Sequence, residues 1–417
     1  MAMPLSTLRA GVQKSVDANP AEVLSRIPRV AKALEILDRS LGWITEQQTQ
    51  LTEIPAPTFE EEARAAAVRK ILAANGLKTR IDSAGNIIGE RPGSSRKEVI
   101  LLSAHLDTVF PAGTSVRVRK DGRNLAAPGI SDNGAGLAAL VGLARAVHEA
   151  KLDTRMTLVF AANTGEEGEG NLRGMRKLVE SYRGRLRAVI AIDGASIEHI
   201  TTMGLGSHRL EVTVSGPGGH SWADFGLPNP IHALSRGIAR FLDVRVPDKP
   251  RTTYNVGVIE GGTSVNSIPD RASIKVDIRS ESETELERLE TVLRKAISEG
   301  IDAEMAAARQ GGHEDAARLD AKFRSLGVRP VGELPADSPL LAAVRDADRF
   351  LENRSHLERS STDANIPLSL GIPAITIGGG GRAGGAHSLA EWYDPSGREV
   401  GLKRILLTAL AVAGIEE

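Results

Sequence analysis

The chain has 417 residues, more than one hydrophobic core usually organises, so we expect two domains. Hydrophobic residues make up 41% of the chain and charged residues 25%, which is typical of a globular protein. Because aromatic residues make up only 3%, we expect a core built mainly from Ala, Val, Ile and Leu. A net charge of −1 gives no basis for binding nucleic acid or an anionic membrane. The absence of cysteine excludes disulfides, thiol nucleophiles and thiolate metal ligands.

The N-terminal 20 residues contain no apolar stretch and no cleavage-site pattern of a signal peptide. No apolar run along the chain is long enough to cross a membrane. We therefore expect a cytoplasmic protein.

Helices and buried strands alternate in the first half of the chain. Apolar spacing predicts helices over 21–52, 58–75, the segment after Gly134, and about 170–182. Short, mostly apolar runs predict strands over 79–81, 87–90, 99–104, 157–163 and 188–193. This alternation is typical of an α/β sheet domain.

The pattern changes after Gly204, where a strand, a helix, two strands, a charged helix and a last strand follow in order. This β-α-β-β-α-β order indicates a small α+β domain with a four-stranded sheet. The segment 302–318 either extends the second helix or forms a loop. Because the α/β pattern resumes after about 331, we predict one domain over 1–204 and 331–417 and an inserted domain over 205–330.

Polar side chains follow the predicted strands at the point where each strand ends. His105 and Asp107 come directly after an apolar strand, in SAHLDTV. A period of two puts both side chains on one face, where the Asp107 carboxylate could orient the His105 imidazole as a metal ligand. A strand-ending turn with two polar residues is the simpler explanation of this motif alone.

Three further acids stand in Gly-rich motifs. Asp132 lies in APGISDNGAG, where it could instead be a helix N-cap, and Glu166 and Glu167 lie in NTGEEGEG. Adjacent carboxylates at a strand end repel each other unless a positive charge is present, and a divalent metal would supply it. Solvated loop acids are the alternative for the glutamate pair.

Asp193 ends another apolar strand, in AIDGA, and His387 lies in the Gly-rich GGAHSLAEW. Together, His105, Asp132, Glu167, Asp193 and His387 offer two imidazoles and three carboxylates near the carboxyl ends of one sheet, where open α/β proteins bind ligands. With one carboxylate bridging, this set suits two zinc ions.

The ordered motifs HLD, SDNGAG, GEEGEG, AIDG and GGAHS resemble those of the M20 family of zinc aminoacylases and peptidases, and of its peptidase T-like branch in particular. The resemblance covers nearly the whole chain. It implies a zinc-peptidase-type mixed-sheet domain with an inserted lid through which two subunits dimerise. It also implies two zinc ions per subunit, with cobalt or manganese as substitutes, and a short peptide as substrate.

By position, the resemblance makes His105 and Asp193 the side ligands of one zinc, Glu167 and His387 those of the other, and Asp132 the bridge, followed by a cis peptide bond. Glu166 resembles the general base, and Asp107 the carboxylate that orients His105. Asn133 and Gly134 depart from the residues that often follow the bridging Asp. That departure leaves the ligand intact but weakens the assignment to a branch.

Substrate contacts also follow from the resemblance. His220 matches a histidine that reaches the partner subunit's site, Asn266 and Arg279 match substrate contacts, and Arg359 matches a cation that binds the substrate carboxylate. A packed turn for His220 and a surface position for Arg279 are the alternatives.

Asp193, where many deacylases have Glu, favours a di- or tripeptidase. An N-acyl amino acid amidohydrolase or a carboxypeptidase is the enzyme alternative. An inactive dimeric binding protein would lack a ligand or the base, and neither is missing. The Gly run in GGGGRAGG lacks the Lys-Ser/Thr of a phosphate-binding loop.

Overall fold

The computed structural model describes residues 19–416, so the N-terminal segment in which we predicted no signal peptide lies almost wholly outside the described residues. Within that range, no helix combines the length and the apolar character that a membrane crossing requires. The cytoplasmic location stays a prediction.

Eleven α-helices lie within the described residues: α1 (Pro20–Ser25), α2 (Pro28–Arg39), α3 (Leu41–Thr52), α4 (Glu62–Ala74), α5 (Gly134–Glu149), α6 (Arg173–Ser181), α7 (Pro230–Leu242), α8 (Glu283–Gln310), α9 (Pro339–Phe350), α10 (Asn365–Ser369) and α11 (Arg398–Ala413). A short 3-10 helix covers Gly168–Gly170.

The strands in the same range are β1 (Lys78–Ile81), β2 (Ile87–Arg91), β3 (Ser95–His105), β4 (Arg119–Asp121), β5 (Asn124–Ala126), β6 (Met156–Asn163), β7 (Leu186–Ile192), β8 (His199–Gly204), β9 (Gly206–Ser215), β10 (Gly219–His220), β11 (Thr252–Gly261), β12 (Ser267–Ile268), β13 (Arg271–Ser280), β14 (Asp320–Arg329), β15 (Gly332–Glu333), β16 (His356–Ser360), β17 (Ala374–Ile377), β18 (Arg382–Gly384) and β19 (Trp392–Asp394).

The single helix that we predicted over 21–52 is wrong, because the segment forms three helices. Pro28 is the first residue of α2, where its missing N–H costs nothing, and Ile27 before it is extended. A second break falls at Ser40, between α2 and α3. The apolar spacing continues across the break at Ser40 because α2 and α3 pack on the same helix, α5, whereas α1 packs on α9 and α11.

The largest sheet has nine strands in the order β1-β2-β6-β3-β7-β17-β8-β15, with β16 paired to β8. Its centre is parallel, since β3 runs parallel to β6 and β7, and β17 runs parallel to β7. The carboxyl ends of these four strands therefore lie at one edge of the sheet.

Helix α5 packs tightly against the central part of this unit, and 13 of its residues are buried. A Cβ atom on Gly142 would come within 2.7 Å of the Ile44 side chain, so glycine lets α5 and α3 approach closely. One hydrophobic cluster joins these helices to the buried faces of the central strands.

A separate four-stranded antiparallel sheet has the order β11-β13-β9-β14. One face packs against α7 and α8, which approach so closely that a Cβ on Gly300 would meet the Ala233 carbonyl oxygen at 2.5 Å. On the other face, Arg279 and Arg329 flank Ser207 across three strands, with Arg209 and Asp277 beside them. Helix α8 continues to Gln310, so the first part of 302–318 extends the helix and the rest is a loop that leads to β14.

The predicted α/β class, with a mixed sheet and a β-α-β-β-α-β unit, is confirmed. The buried members of the second hydrophobic cluster all lie between Leu210 and Leu319. The domain boundaries at 204/205 and 330/331 stay predictions. Several strands of two or three residues were not predicted, among them the ribbon of β10 with β12 and the small sheet β18-β19-β5-β4.

Candidate metal centre and active site

The residues predicted as metal ligands follow the parallel strands at the carboxyl edge of the nine-stranded sheet. His105 is the last residue of β3, and Asp193 comes directly after β7. Glu167 stands in the loop after β6, and His387 in the loop between β18 and β19. Asp132 lies just before α5. The parallel order of the strands is what brings these distant parts of the chain to one edge.

The five side chains converge, with Asp132 between the two imidazoles. Its Oδ1 lies 3.1 Å from His105 Nε2, and its Oδ2 lies 3.1 Å from His387 Nε2. Asp193 Oδ1 is 3.5 Å from the same nitrogen of His105. Glu167 Oε1 is 3.1 Å from the same nitrogen of His387. The cluster therefore has two halves that share one carboxylate.

The donor set fits divalent metal ions. His105 Nε2 and Asp132 Oδ1 are both buried, and neither has a hydrogen-bond partner among the described residues. Potential ligand atoms lie within 4.8 Å of one another in three overlapping sets, namely His105–Asp132–Asp193, His105–Glu166–Glu167 and Asp132–Glu167–His387. Imidazole and carboxylate are the ligands that zinc and its neighbours accept in the absence of cysteine.

The two halves differ in exposure. The His105 side chain is 2% exposed, whereas that of His387 is 55% exposed and its backbone has a φ of 63°. Asp132 and Glu167 raise the pKa of His387 to about 10, because both carboxylates stabilise the protonated ring. Each half of the cluster thus places carboxylates beside an imidazole, an arrangement that favours a bound positive charge.

Asp132 itself is not the helix N-cap that was its simpler explanation. Asn133 caps α5, since its Oδ1 accepts a hydrogen bond from the Gly136 N–H. The peptide bond between Asp132 and Asn133 is cis, as the resemblance implies. The Asp132 carboxylate is therefore free to face the two imidazoles.

Glu391, which we did not single out from the sequence, holds the loop that carries Asp132. Its fully buried carboxylate accepts hydrogen bonds from the N–H groups of Gly129, Ser131 and Asp132 at 2.8 to 2.9 Å, and from the Ser131 hydroxyl at 2.7 Å. Glu391 lies four residues after His387, so it connects the segments of two metal-ligand candidates.

Asp107 contacts His105 in a way that differs from the expected one. The His105 Nδ1 atom lies 3.0 Å from the Asp107 backbone carbonyl and 3.7 Å from the carboxylate. The carboxylate instead accepts hydrogen bonds from the N–H groups of Glu166 and Glu167, at 3.0 and 2.9 Å, and from the Thr58 hydroxyl. Asp107 thus orients the imidazole through its carbonyl and fixes the glutamate loop through its side chain.

Glu166 is buried beside the metal-ligand candidates. Burial raises the pKa of Glu166 well above its ordinary value, with the Arg329 charge opposing the shift and Glu167 adding to it. Arg329 Nη1 lies 3.1 Å from Glu166 Oε1. We did not single out Arg329 from the sequence, because it stands in the last strand of the four-stranded sheet, 163 residues further along the chain.

A second buried acid, Asp363, lies close to the same strand ends. Its Oδ2 accepts a hydrogen bond of 2.7 Å from the Asn163 side chain at the end of β6. Burial raises the pKa of Asp363 to about 6. The sequence analysis did not select this residue either, although it stands only four positions after Arg359.

The predicted substrate contacts lie apart from the five-ligand cluster. His220 and Asn266 meet in the exposed ribbon of β10 and β12, where the Ser221 N–H donates to the Asn266 carbonyl at 3.0 Å. Arg279 pairs with Asp277 at 2.7 Å, and Arg359 pairs with Glu281 at 3.0 Å. Both arginines line a cavity of about 750 Å³ between β8 and β16 on one side and β13 on the other.

Comparison with known proteins supports the same class. The model of peptidase family M20/M25/M40 matches residues 101–411. A putative succinyl-diaminopimelate desuccinylase of Mycobacterium tuberculosis is 28% identical over 338 residues, covering 79% of this chain and 88% of the relative. Aminopeptidase PepT from Bacillus cereus is 19% identical, with a TM-score of 0.69 over 89% of this chain and 99% of that structure. A dinuclear metal binding peptidase of the M20 family from Bacillus subtilis is 17% identical, with a TM-score of 0.64 over 90% and 99%.

The chain therefore belongs to peptidase family M20/M25/M40 and is an enzyme that acts on peptide or amide bonds. The family predicted from the motif order is confirmed. The similarity to aminopeptidase PepT shows that the two proteins share a fold.

Proposed function

We propose that this enzyme hydrolyses short peptides, as an aminopeptidase of the di- and tripeptidase type, with two divalent metal ions in each subunit. The observation that carries the proposal is the position of Asp132, whose two oxygens each lie 3.1 Å from a different imidazole. Each imidazole has a further carboxylate beside it, Asp193 or Glu167. This arrangement supports two ions that share Asp132.

In the proposal, His105 and Asp193 complete the shell of one ion, and His387 and Glu167 that of the other. Such ions lower the pKa of a water molecule and polarise the carbonyl of the substrate. Zinc is the preferred metal for two imidazoles with carboxylates and no thiolate, and cobalt or manganese would fit the same ligands.

Glu166 is the proposed general base. Its buried carboxylate accepts the proton of the attacking water as the water oxygen adds to the scissile carbonyl carbon. The same carboxyl group then gives that proton to the nitrogen of the leaving amine as the C–N bond breaks. Burial raises the pKa of Glu166, so its carboxylate accepts a proton more readily than an exposed carboxylate does.

The remaining predicted contacts concern substrate binding and a second copy of the chain. We expect His220 of the partner subunit to stabilise the oxyanion, with Asn266, Arg279 and Arg359 holding the peptide and its terminal carboxylate. The exposure of His220 and Asn266 supports this, because it leaves both side chains available to a second copy of the chain. Dimerisation through the unit 205–330, and its closure as a lid, belong to the same proposal.

An N-acyl amino acid amidohydrolase is the second candidate. It is favoured by the 28% identity to a putative succinyl-diaminopimelate desuccinylase over 79% of this chain. Asp193, at a position where the resemblance associates Asp with di- and tripeptidases, favours the peptidase. Both candidates use the same metal ligands and the same base, so only the substrate separates them.

The test is a substrate panel with the metal-loaded enzyme and two variants. Di- and tripeptides with a free amino group should be cleaved faster than N-acetyl and N-succinyl amino acids. Glu166→Ala should keep its metal ions, measured by elemental analysis, yet lose about 100- to 10,000-fold in kcat, because general base catalysis is removed.

Glu169→Gln is the matched control, because this acid stands in the same loop but is exposed. It should leave kcat unchanged. Faster cleavage of the acylated compounds would transfer the proposal to the deacylase, and undiminished turnover by Glu166→Ala would refute the base.

A further inference from the structure

Arg329 reaches from the four-stranded sheet into the loop of the proposed base. It is the last residue of β14, and its side chain is buried. Its Nη1 atom donates to Glu166 Oε1 at 3.1 Å, and its Nη2 atom donates to the backbone carbonyl of the same residue. One guanidinium therefore holds both the side chain and the main chain of Glu166.

A second segment fixes the guanidinium itself. Ser361, which follows β16, accepts from Arg329 Nη1 through its hydroxyl at 3.1 Å and through its carbonyl at 3.4 Å. The Arg329 head group is thus held between two loops at the carboxyl edge of the large sheet. A planar fork of N–H groups can meet all these acceptors at once, whereas the single ammonium of lysine cannot.

Neighbouring contacts attach the same loop to the same sheet. Arg209 on β9 donates to the Gly168 carbonyl at 2.8 Å. The Val328 N–H donates to the Asn171 side chain at 2.9 Å, and Arg176 donates to the Val328 carbonyl. Strand β14 therefore contacts both ends of the segment 166–171, and Arg329 is the contact that reaches the carboxylate.

We infer that Arg329 is a positioning residue for the general base, which fixes the Glu166 carboxylate in its catalytic orientation only while β14 is seated on the 166–171 loop. The inference rests on the proposed function, since it requires Glu166 to be the base. It makes the four-stranded sheet a support of the proton transfer, in addition to any role in binding substrate.

A merely structural ion pair is the competing explanation. If the pair is only structural, removing one partner leaves the other charge buried without compensation and lowers the free energy of unfolding. A misplaced catalytic group, by contrast, costs about 100-fold in rate for a displacement of about 1 Å. The two explanations therefore differ in what is lost when Arg329 is replaced, namely stability or kcat.

The experiment compares Arg329→Met and Arg329→Lys with Arg324→Ala in the full-length, metal-loaded enzyme. Arg324 lies on the same strand and pairs with Glu211, but it is exposed and far along β14 from the base. We expect Arg329→Met to lose about 100-fold in kcat with KM within about twofold and with unchanged metal content. Arg329→Lys should recover little, and Arg324→Ala should behave like the wild type.

Two further readouts separate positioning from stability. Guanidinium ion added at millimolar concentration, below the range that unfolds the protein, should restore part of kcat in Arg329→Met but not in Glu166→Gln. In the Glu166→Gln background, Arg329→Met should reduce the residual rate by less than about twofold, because two residues that act through one group are not additive.

Hydrogen–deuterium exchange provides a readout that needs no turnover. The peptide covering 163–172 should exchange faster in Arg329→Met and Arg329→Lys than in the wild type or Arg324→Ala. Unchanged kcat in Arg329→Met, a parallel loss of metal, or full additivity with Glu166→Gln would overturn the inference. If the wild type cleaves neither peptides nor N-acyl amino acids, the proposed function fails. Unchanged hydrogen–deuterium exchange at 163–172 in the Arg329 variants would separately refute the positioning role of Arg329.

Discussion

The two main sheets contribute opposite charges to the candidate active site. The parallel centre of the nine-stranded sheet ends in one histidine and three acids, namely His105, Glu166, Glu167 and Asp193. The open face of the four-stranded antiparallel sheet presents arginines, of which Arg209 and Arg329 contact the glutamate loop. The comparison teaches that one unit brings the candidate metal ligands together, while the other holds the anionic loop in place.

The difference has a simple origin in strand geometry. Strands buried on both faces can place polar groups only where they end, so the large sheet collects its ligands along one edge. An antiparallel sheet with one open face can place polar residues along its length, and alternate residues of β9, β13 and β14 do so. The nine-stranded sheet therefore contributes the edge at which its strands end, and the four-stranded sheet contributes its open face.

Removing the shared ligand should have the largest effect. Asp132→Ala leaves each imidazole with one carboxylate, so we expect loss of both ions and a fall in kcat/KM of about 1,000-fold or more, since metal catalysis supplies several kcal/mol. Metal content and turnover measure this, with Asp121→Ala in the exposed strand β4 as the control. Full metal occupancy in Asp132→Ala would contradict the proposal that both ions share Asp132.

A smaller effect is expected from Glu391, which supports the Asp132 loop without facing the imidazoles. Glu391→Gln keeps the size of the side chain but replaces one acceptor oxygen by a donor that faces N–H groups. We expect metal affinity to fall by about 10- to 100-fold, with turnover restored at saturating metal. Competition with a chromogenic chelator measures the affinity, and Glu399→Gln is the control; equal affinity in both variants would contradict the expectation.

The smallest effect concerns a cation of the four-stranded sheet. If Arg279 binds the terminal carboxylate of the peptide, Arg279→Ala should raise KM by about tenfold, because a charge-assisted hydrogen bond contributes about 1.5–3 kcal/mol. A peptide with an amidated C-terminus should show no such change. Lys275→Ala, on the same strand and face, is the control. An equal rise for both peptides would leave the open face without a role in carboxylate binding.

The sequence predicted those parts of the fold and the site that depend on short-range patterns. His105, Glu167 and Asp193 follow apolar runs, and parallel strands bring the ends of such runs together without any further information. The central strands and the β-α-β-β-α-β unit were predicted for the same reason, since their periodicity is short-range. The break at Pro28 was also visible in the sequence, but the continuous apolar spacing outweighed it.

The supporting contacts could not be predicted because nothing local marks them. Glu391 contacts Ser131 across 260 residues, and Arg329 contacts Glu166 across 163. In the sequence, one is an acid in a Gly-rich loop and the other is one of many arginines. The hydrogen bonds from the Glu166 and Glu167 N–H groups to Asp107 were equally hard to predict, because every residue except proline has a backbone N–H.

The two imidazoles differ in exposure, so one side of the candidate site is more open to solvent than the other. His105 closes the cluster on its inner side, whereas His387 stands at the rim with a left-handed backbone that few residues other than glycine, Asn, Asp and His adopt readily. The half of the cluster around His387 is therefore the more accessible one from solvent. The loop between β18 and β19, with its glycines, thus forms the exposed edge of the candidate site.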